Sequence, residues 1–151
     1  MAERQVQNPC LAEYRRLADV KEALQVSLDW PVAPPGIGRK LSTVRFTARS
    51  LKRHLERLMN LEEDGGYMVL VGELKPNLFD QTMRLRRQHD ELRATLERVV
   101  PAFEEIDEHK TEPFERLCNE LRGVLKVVEE HDARETALWQ EAFCTDDGGE
   151  G

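Results

Sequence analysis

The sequence predicts an all-α protein, an antiparallel up-down-up-down four-helix bundle. Hydrophobic residues make up 40% of the 151 residues and charged residues 34%, a balance typical of long amphipathic helices. Four segments place apolar residues at alternating spacings of three and four, and none alternates apolar and polar residues as a half-buried strand would. Long helices with short connections pack as antiparallel neighbours, and this length fits one domain spanning residues 1–151.

The first helix is predicted from about Leu11 to Leu28. It ends before the segment PVAPPGIG, residues 31–38, because proline and glycine in such numbers prevent a regular helix. We therefore expect an irregular linker between the first helix and the second.

The second helix is predicted to open after Ser42, a residue type suited to the N-cap, and to continue at least to Glu63. Gly65 and Gly66 follow it, and glycine commonly ends a helix. The apolar run YMVLV directly after these glycines is equally compatible with a continuing helix. The sequence leaves this boundary open.

The third and fourth helices follow with clearer limits. The third is predicted to start near Pro76, which suits a first helical turn, and to reach about Val100. The fourth is predicted from near Thr111 to about Phe143. The residues at the end of the chain, 143–151, are rich in Asp and Gly and are predicted to form a disordered tail.

Charge and composition exclude several function classes. The net charge is -7 and no basic block offsets it, which argues against nucleic-acid or membrane partners. Neither a signal peptide nor an apolar run long enough to span a bilayer is visible. Cys10, Cys118 and Cys144 form no CxxC pair and are expected to be reduced thiols. These features predict a cytoplasmic protein.

Catalysis is not indicated by any motif. No nucleophile stands beside a base, and no glycine-rich phosphate loop follows a strand. We therefore do not expect an enzyme.

Polar residues interrupt the apolar stripes of the three later helices. They are Glu62, His89, His131 and Glu135. On the first helix Tyr14 is the polar residue expected to point inward, and either Lys21 or Val20 continues its stripe. A helix rise of about 1.5 Å per residue allows the polar groups to converge at one level. Because an unpaired buried polar group costs about 1–3 kcal/mol, a shared network or a bound cation is expected.

Three segments of the sequence resemble the hemerythrin-like domain family in order and spacing. They are LKRHLERLMNLEEDGGYM, LRRQHDELRATL and EEHDARETALWQEAF, within a resemblance that covers most of the chain from about Leu11. The family is a four-helix bundle that holds a non-haem di-iron centre. Transferred position by position, the resemblance implies metal ligands at Glu62, His89, His131 and Glu135.

Two ligand positions of the family differ in this chain. The second-helix histidine of the family falls on Leu58, and the first-helix histidine falls near Tyr14. His54 lies off the apolar stripe and does not replace it, so His54 and His109 are both expected to be solvated. Two imidazoles and two carboxylates remain, a donor set that suits one ion better than two.

Two functions therefore stay open at this stage. One is a hemerythrin-like protein that binds a single non-haem iron, or another divalent cation, for oxygen-linked or redox-linked binding or sensing. The other is a metal-free helical scaffold or protein-interaction module that has lost the di-iron site. The sequence names no protein partner and no oligomeric state.

Overall fold

Four long helices and one short helix make up the fold. The computed structural model describes residues 9–33 and 36–144. Its helices are α1 (Pro9–Asp29), α2 (Ile37–Glu63), α3 (Tyr67–Leu74), α4 (Phe79–Ala102) and α5 (Thr111–Trp139). A 3-10 turn at Pro76–Leu78 leads into α4, and a π-helical turn at Gln140–Cys144 follows α5. No strand occurs among these described residues. The predicted all-α four-helix bundle is confirmed, whereas most of the predicted tail, residues 145–151, lies outside the described residues.

The core lies between the apolar faces of the four long helices. The stripe residues predicted to be buried are each at most 3% exposed, namely Leu55, Leu92, Leu96, Leu121 and Val124. A second cluster packs α3 against α4 and α5, with Met68 and Val71 meeting Leu85 and Leu138. The short helix thus covers the part of the bundle where α2 ends.

Replacing Leu121 by alanine should lower the free energy of unfolding by about 2–5 kcal/mol, because truncation of a buried leucine removes apolar contacts and leaves a cavity. Leu121 is fully buried, whereas Leu11 is 48% exposed, so Leu11→Ala is the matched control and should cost well under 1 kcal/mol. Chemical denaturation of the two variants measures both values. Equal effects would show that the α5 stripe does not face the core.

The second helix begins earlier than predicted. It starts at Ile37, within the expected linker, and Ser42 lies inside the helix with its side chain exposed. The prediction of an N-cap at Ser42 is wrong because the first turn gains tertiary contacts, with Ile37 and Leu41 buried in the core. Lys40 in the same turn donates to the carbonyl oxygen of Leu28 at 2.8 Å and thereby satisfies the C-terminus of α1.

The open boundary after Glu63 proves to be a helix break. Helix α2 ends at Glu63, and Gly65 adopts a φ of 88°, a conformation that glycine takes without strain. At Gly66 a Cβ atom would stand 2.4 Å from the carbonyl oxygen of Leu61, so only glycine fits there. The break leaves Glu62 and Glu63 on the last turn of α2 and starts α3 as a separate helix.

The third and fourth predicted helices, now α4 and α5, lie close to their expected limits. Helix α4 begins at Phe79, after the 3-10 turn that starts at Pro76, and α5 ends at Trp139, before the π-helical turn. Pro101 sits in the last turn of α4 rather than after it. Arg45 from α2 donates to the carbonyl oxygen of Phe103 at 2.7 Å, so the C-terminus of α4 is satisfied by a neighbouring helix.

Among the described residues, no helix combines the length and apolar character needed to cross a membrane.

Candidate metal centre

Four buried polar side chains from three helices meet at one point. Glu62 comes from the last turn of α2, His89 from α4, and His131 and Glu135 from successive turns of α5. Each is at most 5% exposed, and one ligand-type atom from each lies within 4.8 Å of all the others. The structure therefore brings together the four residues that the sequence singled out.

The atoms that face one another are two ring nitrogens and two carboxylate oxygens. The Nε2 atoms of His89 and His131 are 2.9 Å apart. The Oε1 atom of Glu135 lies 2.5 Å from Nε2 of His131 and 3.6 Å from Nε2 of His89. The Oε1 atom of Glu62 is 3.7 Å from Nε2 of His89. This donor set of imidazole and carboxylate is one that binds first-row divalent cations.

The outward nitrogens of both imidazoles face hydrogen-bond acceptors. Nδ1 of His131 donates to the Oε1 atom of Gln88 at 2.6 Å. Nδ1 of His89 stands 3.4 Å from the Oε1 atom of Glu63, too poorly aligned for a hydrogen bond, and Arg93 holds this carboxylate through a 3.1 Å hydrogen bond. Because Gln88 and Glu63 both present acceptor oxygens, a hydrogen on each Nδ1 would leave the Nε2 lone pair directed at the centre.

The acceptor atoms that face one another need a proton or a cation between them. The Oε1 atom of Glu135 is buried and accepts no hydrogen bond of adequate geometry from the described residues. Two nitrogen lone pairs and two carboxylate oxygens at these distances repel one another unless a cation, or a proton on one Nε2 or on Glu62, lies between them. The residues therefore fit a divalent cation in both donor chemistry and charge.

Tyr14 meets the same two carboxylates from the other side. Its hydroxyl donates to the Oε2 atom of Glu62 at 2.7 Å and lies 3.2 Å from the Oε2 atom of Glu135. Each carboxylate thus turns one oxygen to the imidazoles and the other to the phenol. Burial, followed by the charges of Glu135 and Glu62, raises the pKa of Tyr14 far above its usual range. The hydroxyl therefore stays protonated and acts as a donor.

The carboxyl groups of Glu62 and Glu135 differ in pKa. Burial and the neighbouring Glu135 carboxylate raise the pKa of Glu62 well above its usual range. Burial also opposes ionisation of Glu135, but the imidazoles of His131 and His89, whose Nε2 atoms lie 2.5 Å and 3.6 Å from its Oε1 atom, outweigh it and lower the pKa of Glu135. Without a cation, the pair therefore holds one proton on the Glu62 side at neutral pH.

A surface pocket reaches the centre from the side of α1 and α5. Its volume is about 460 Å³, and its lining residues are Tyr14, Asp132, Glu135, Thr136, Trp139 and Gln140. Tyr14 and Glu135 belong to both the pocket and the buried network, so the pocket borders the network at these two side chains.

A further buried carboxylate escaped the sequence analysis. Glu13 is 1% exposed and lies 3.0 Å from Nδ1 of His54 and 3.1 Å from Nε of Arg57. The prediction that His54 is solvated is therefore wrong, because α1 supplies a partner from another helix. His109, with 83% of its side chain exposed, is solvated as predicted.

Gln88 and Glu63 were also missed, although both flank site residues in the sequence. Each lies one position from an inward residue and so falls on the edge of its apolar stripe. The signal that finds them is chemical, since an inward histidine needs an acceptor for its second nitrogen.

Comparison with known families agrees with this geometry. The family model for the hemerythrin HHE cation-binding domain matches residues 10–142. The chain belongs to this family. The match includes α2 to α5 entirely and α1 from its second residue. No curated protein and no solved structure matches the chain.

This hemerythrin-family chain lacks a ligand side chain at two positions that the sequence resemblance implied. Leu58, one turn before Glu62, is 2% exposed and belongs to the apolar core. Tyr14 occupies the first-helix position and hydrogen-bonds both carboxylates. The atoms that converge are thus two imidazole nitrogens and two carboxylate oxygens.

Proposed function

We propose that this chain binds a single non-haem iron, or another divalent first-row cation, through Glu62, His89, His131 and Glu135. We further propose that the cation serves oxygen-linked or redox-linked binding or sensing. Iron ligated by imidazoles and carboxylates supplies redox chemistry, with coordination positions left open to an external ligand. Membership of a cation-binding domain family supports the first part of the proposal.

One observation carries the proposal. The Nε2 atoms of His89 and His131 face the centre and lie 2.9 Å apart, while Nδ1 of His131 faces Gln88 at 2.6 Å and Nδ1 of His89 faces Glu63 at 3.4 Å. Orientation of ligand imidazoles by outer acceptors in this way is the usual arrangement around protein-bound metals.

Elemental analysis of protein purified without chelators tests the identity of the cation. We expect iron at close to one atom per chain. The redox part is tested by recording the absorption spectrum of the iron-loaded protein before and after exposure to oxygen, and again after reduction. A spectrum that never changes would contradict the redox role while leaving cation binding intact.

The second candidate function is a metal-free scaffold or protein-interaction module. A specific observation favours it: a proton on Nε2 of His89 could replace the cation, since His131 Nε2 lies 2.9 Å away, while Tyr14 already satisfies the outer carboxylate oxygens. The two candidates differ in thermal unfolding with added divalent cation. A bound cation at about 100 times its dissociation constant stabilises the fold by about 2.7 kcal/mol, whereas a scaffold gains nothing.

Cation binding should release close to one proton at neutral pH. The pKa of Glu62 is raised in the cation-free protein, so its carboxyl group holds a proton that the cation must displace. Affinity should therefore rise with pH below this raised pKa. Titration calorimetry in two buffers of different ionisation enthalpy measures the released protons, and identical apparent enthalpies would show that the cation displaces no proton from Glu62.

We further propose that the chain acts by binding and not by catalysis, in the cytoplasm and without nucleic-acid or membrane partners. Cys118 forms no disulfide bond among the described residues, which suits a reducing compartment. The acidic net charge of -7 disfavours polyanionic surfaces.

A further inference from the structure

The phenol of Tyr14 lies beside the candidate cation site and contacts both of its carboxylates. It comes from α1 and approaches Glu62 and Glu135 on the oxygens that do not face the imidazoles. Its ring packs against the core of the bundle. One hydroxyl group thus touches both carboxylates, which belong to two different helices.

This hydrogen-bond contact limits the number of oxygens that each carboxylate can offer to a cation. A carboxylate has two oxygens and can bind one cation with both of them or two cations with one each. Here the Oε2 atoms of Glu62 and Glu135 converge on the hydroxyl at 2.7 Å and 3.2 Å. A donor in that place competes with a cation for the same lone pairs.

No alternative ligand from α2 offsets that competition. Leu58 lies one turn before Glu62 and is buried in the apolar core. A cation on the Tyr14 side would therefore lack the imidazoles that the inner side receives from His89 and His131.

We propose that the Tyr14 hydroxyl holds Glu62 and Glu135 as one-oxygen ligands and occupies the place that a second cation would need, so that the centre binds one ion. Tyr14 is a positioning residue, and this inference rests on the proposed cation binding by the inner atoms. Together with the apolar Leu58, the Tyr14 hydroxyl thereby limits the centre to one ion and sets the coordination number of that ion.

The test compares Tyr14→Phe with the parent, using Co²⁺ as the probe in protein first treated with a chelator. Phenylalanine keeps the ring in the core and removes only the hydroxyl. We expect the affinity for Co²⁺ to fall about 10-fold to 100-fold, as for loss of outer hydrogen bonds to metal ligands. The d–d absorption of bound Co²⁺ should also weaken, because freed carboxylates bind through both oxygens and raise the coordination number.

Thr47→Val is the control, because it also removes one buried hydroxyl group. Thr47 is 8% exposed and its hydroxyl donates to the carbonyl oxygen of Thr43 on its own helix at 2.8 Å, so this change should leave affinity and spectrum as in the parent. Circular dichroism checks that both variants remain helical.

The possible results distinguish cation binding itself from the role of the Tyr14 hydroxyl. If the parent binds no Co²⁺, the proposed cation site fails and this inference falls with it. If the parent binds one Co²⁺ and Tyr14→Phe matches it in affinity and spectrum, only the role of Tyr14 is overturned. An equal loss in Thr47→Val would also overturn it, because the effect would then reflect the loss of any buried hydroxyl group.

Discussion

His89→Ala is expected to abolish binding of the single cation, with a loss of affinity of more than about 100-fold. His89 is fully buried, and its Nε2 atom is the one that lies near all three other inward groups, at 2.9 Å to 3.7 Å. Removal of a ligand should exceed the roughly 10-fold to 100-fold cost of losing an outer partner. Competition with a coloured chelator measures the change.

His109→Ala is the control for that experiment. It makes the same replacement at a histidine whose side chain is 83% exposed, so the affinity should not change. Retention of one tightly bound ion by His89→Ala would show that the cation binds elsewhere.

The double variant Leu58→His with Tyr14→His is expected to raise the content from one cation to two per chain. Leu58 lies one helical turn before Glu62, so an imidazole there projects from the same face of α2. Tyr14 lies against the outer oxygens of Glu62 and Glu135, and its replacement removes the donor that competes for them. Two imidazoles and two shared oxygens then complete a second site, in line with the di-iron centre that the family resemblance implies.

Native mass spectrometry of the cation-loaded double variant counts the ions. Each single variant supplies only one new imidazole and serves as a control with one ion expected. A count of one in the double variant would contradict the positional transfer of the family ligands onto this chain.

The sequence was most informative where a helix has one regular apolar stripe. In α4 and α5 the stripes are leucine and valine at regular spacing, so His89, His131 and Glu135 stood out as inward polar residues. Their burial and convergence follow from helix periodicity and from antiparallel packing.

The predictions that proved wrong were decided by contacts between helices. Ser42 was expected to start α2, but burial of Ile37 and Leu41 extends the helix by more than a turn. His54 was expected in solvent, but Glu13 of α1 pairs with it. The periodicity of a single helix does not show which residues of another helix contact it. Glu13 was not identified because the apolar stripe of α1 also contains polar residues.

The outer partners of the site could not be found by periodicity either. Gln88 and Glu63 sit beside the inward residues and act only because α4, α5 and α2 meet at this level. Likewise, the sequence identified Tyr14 as an inward polar group but not its contact with two carboxylates at once.

Titration of chelator-treated protein with Fe²⁺ under anaerobic conditions, with bound iron counted after removal of free ions, tests the single-cation site directly. We expect saturation at one iron per chain in the parent and no bound iron in His89→Ala. Saturation at two irons in the parent, or no iron in the parent at concentrations that saturate other non-haem sites, would contradict the single-cation site.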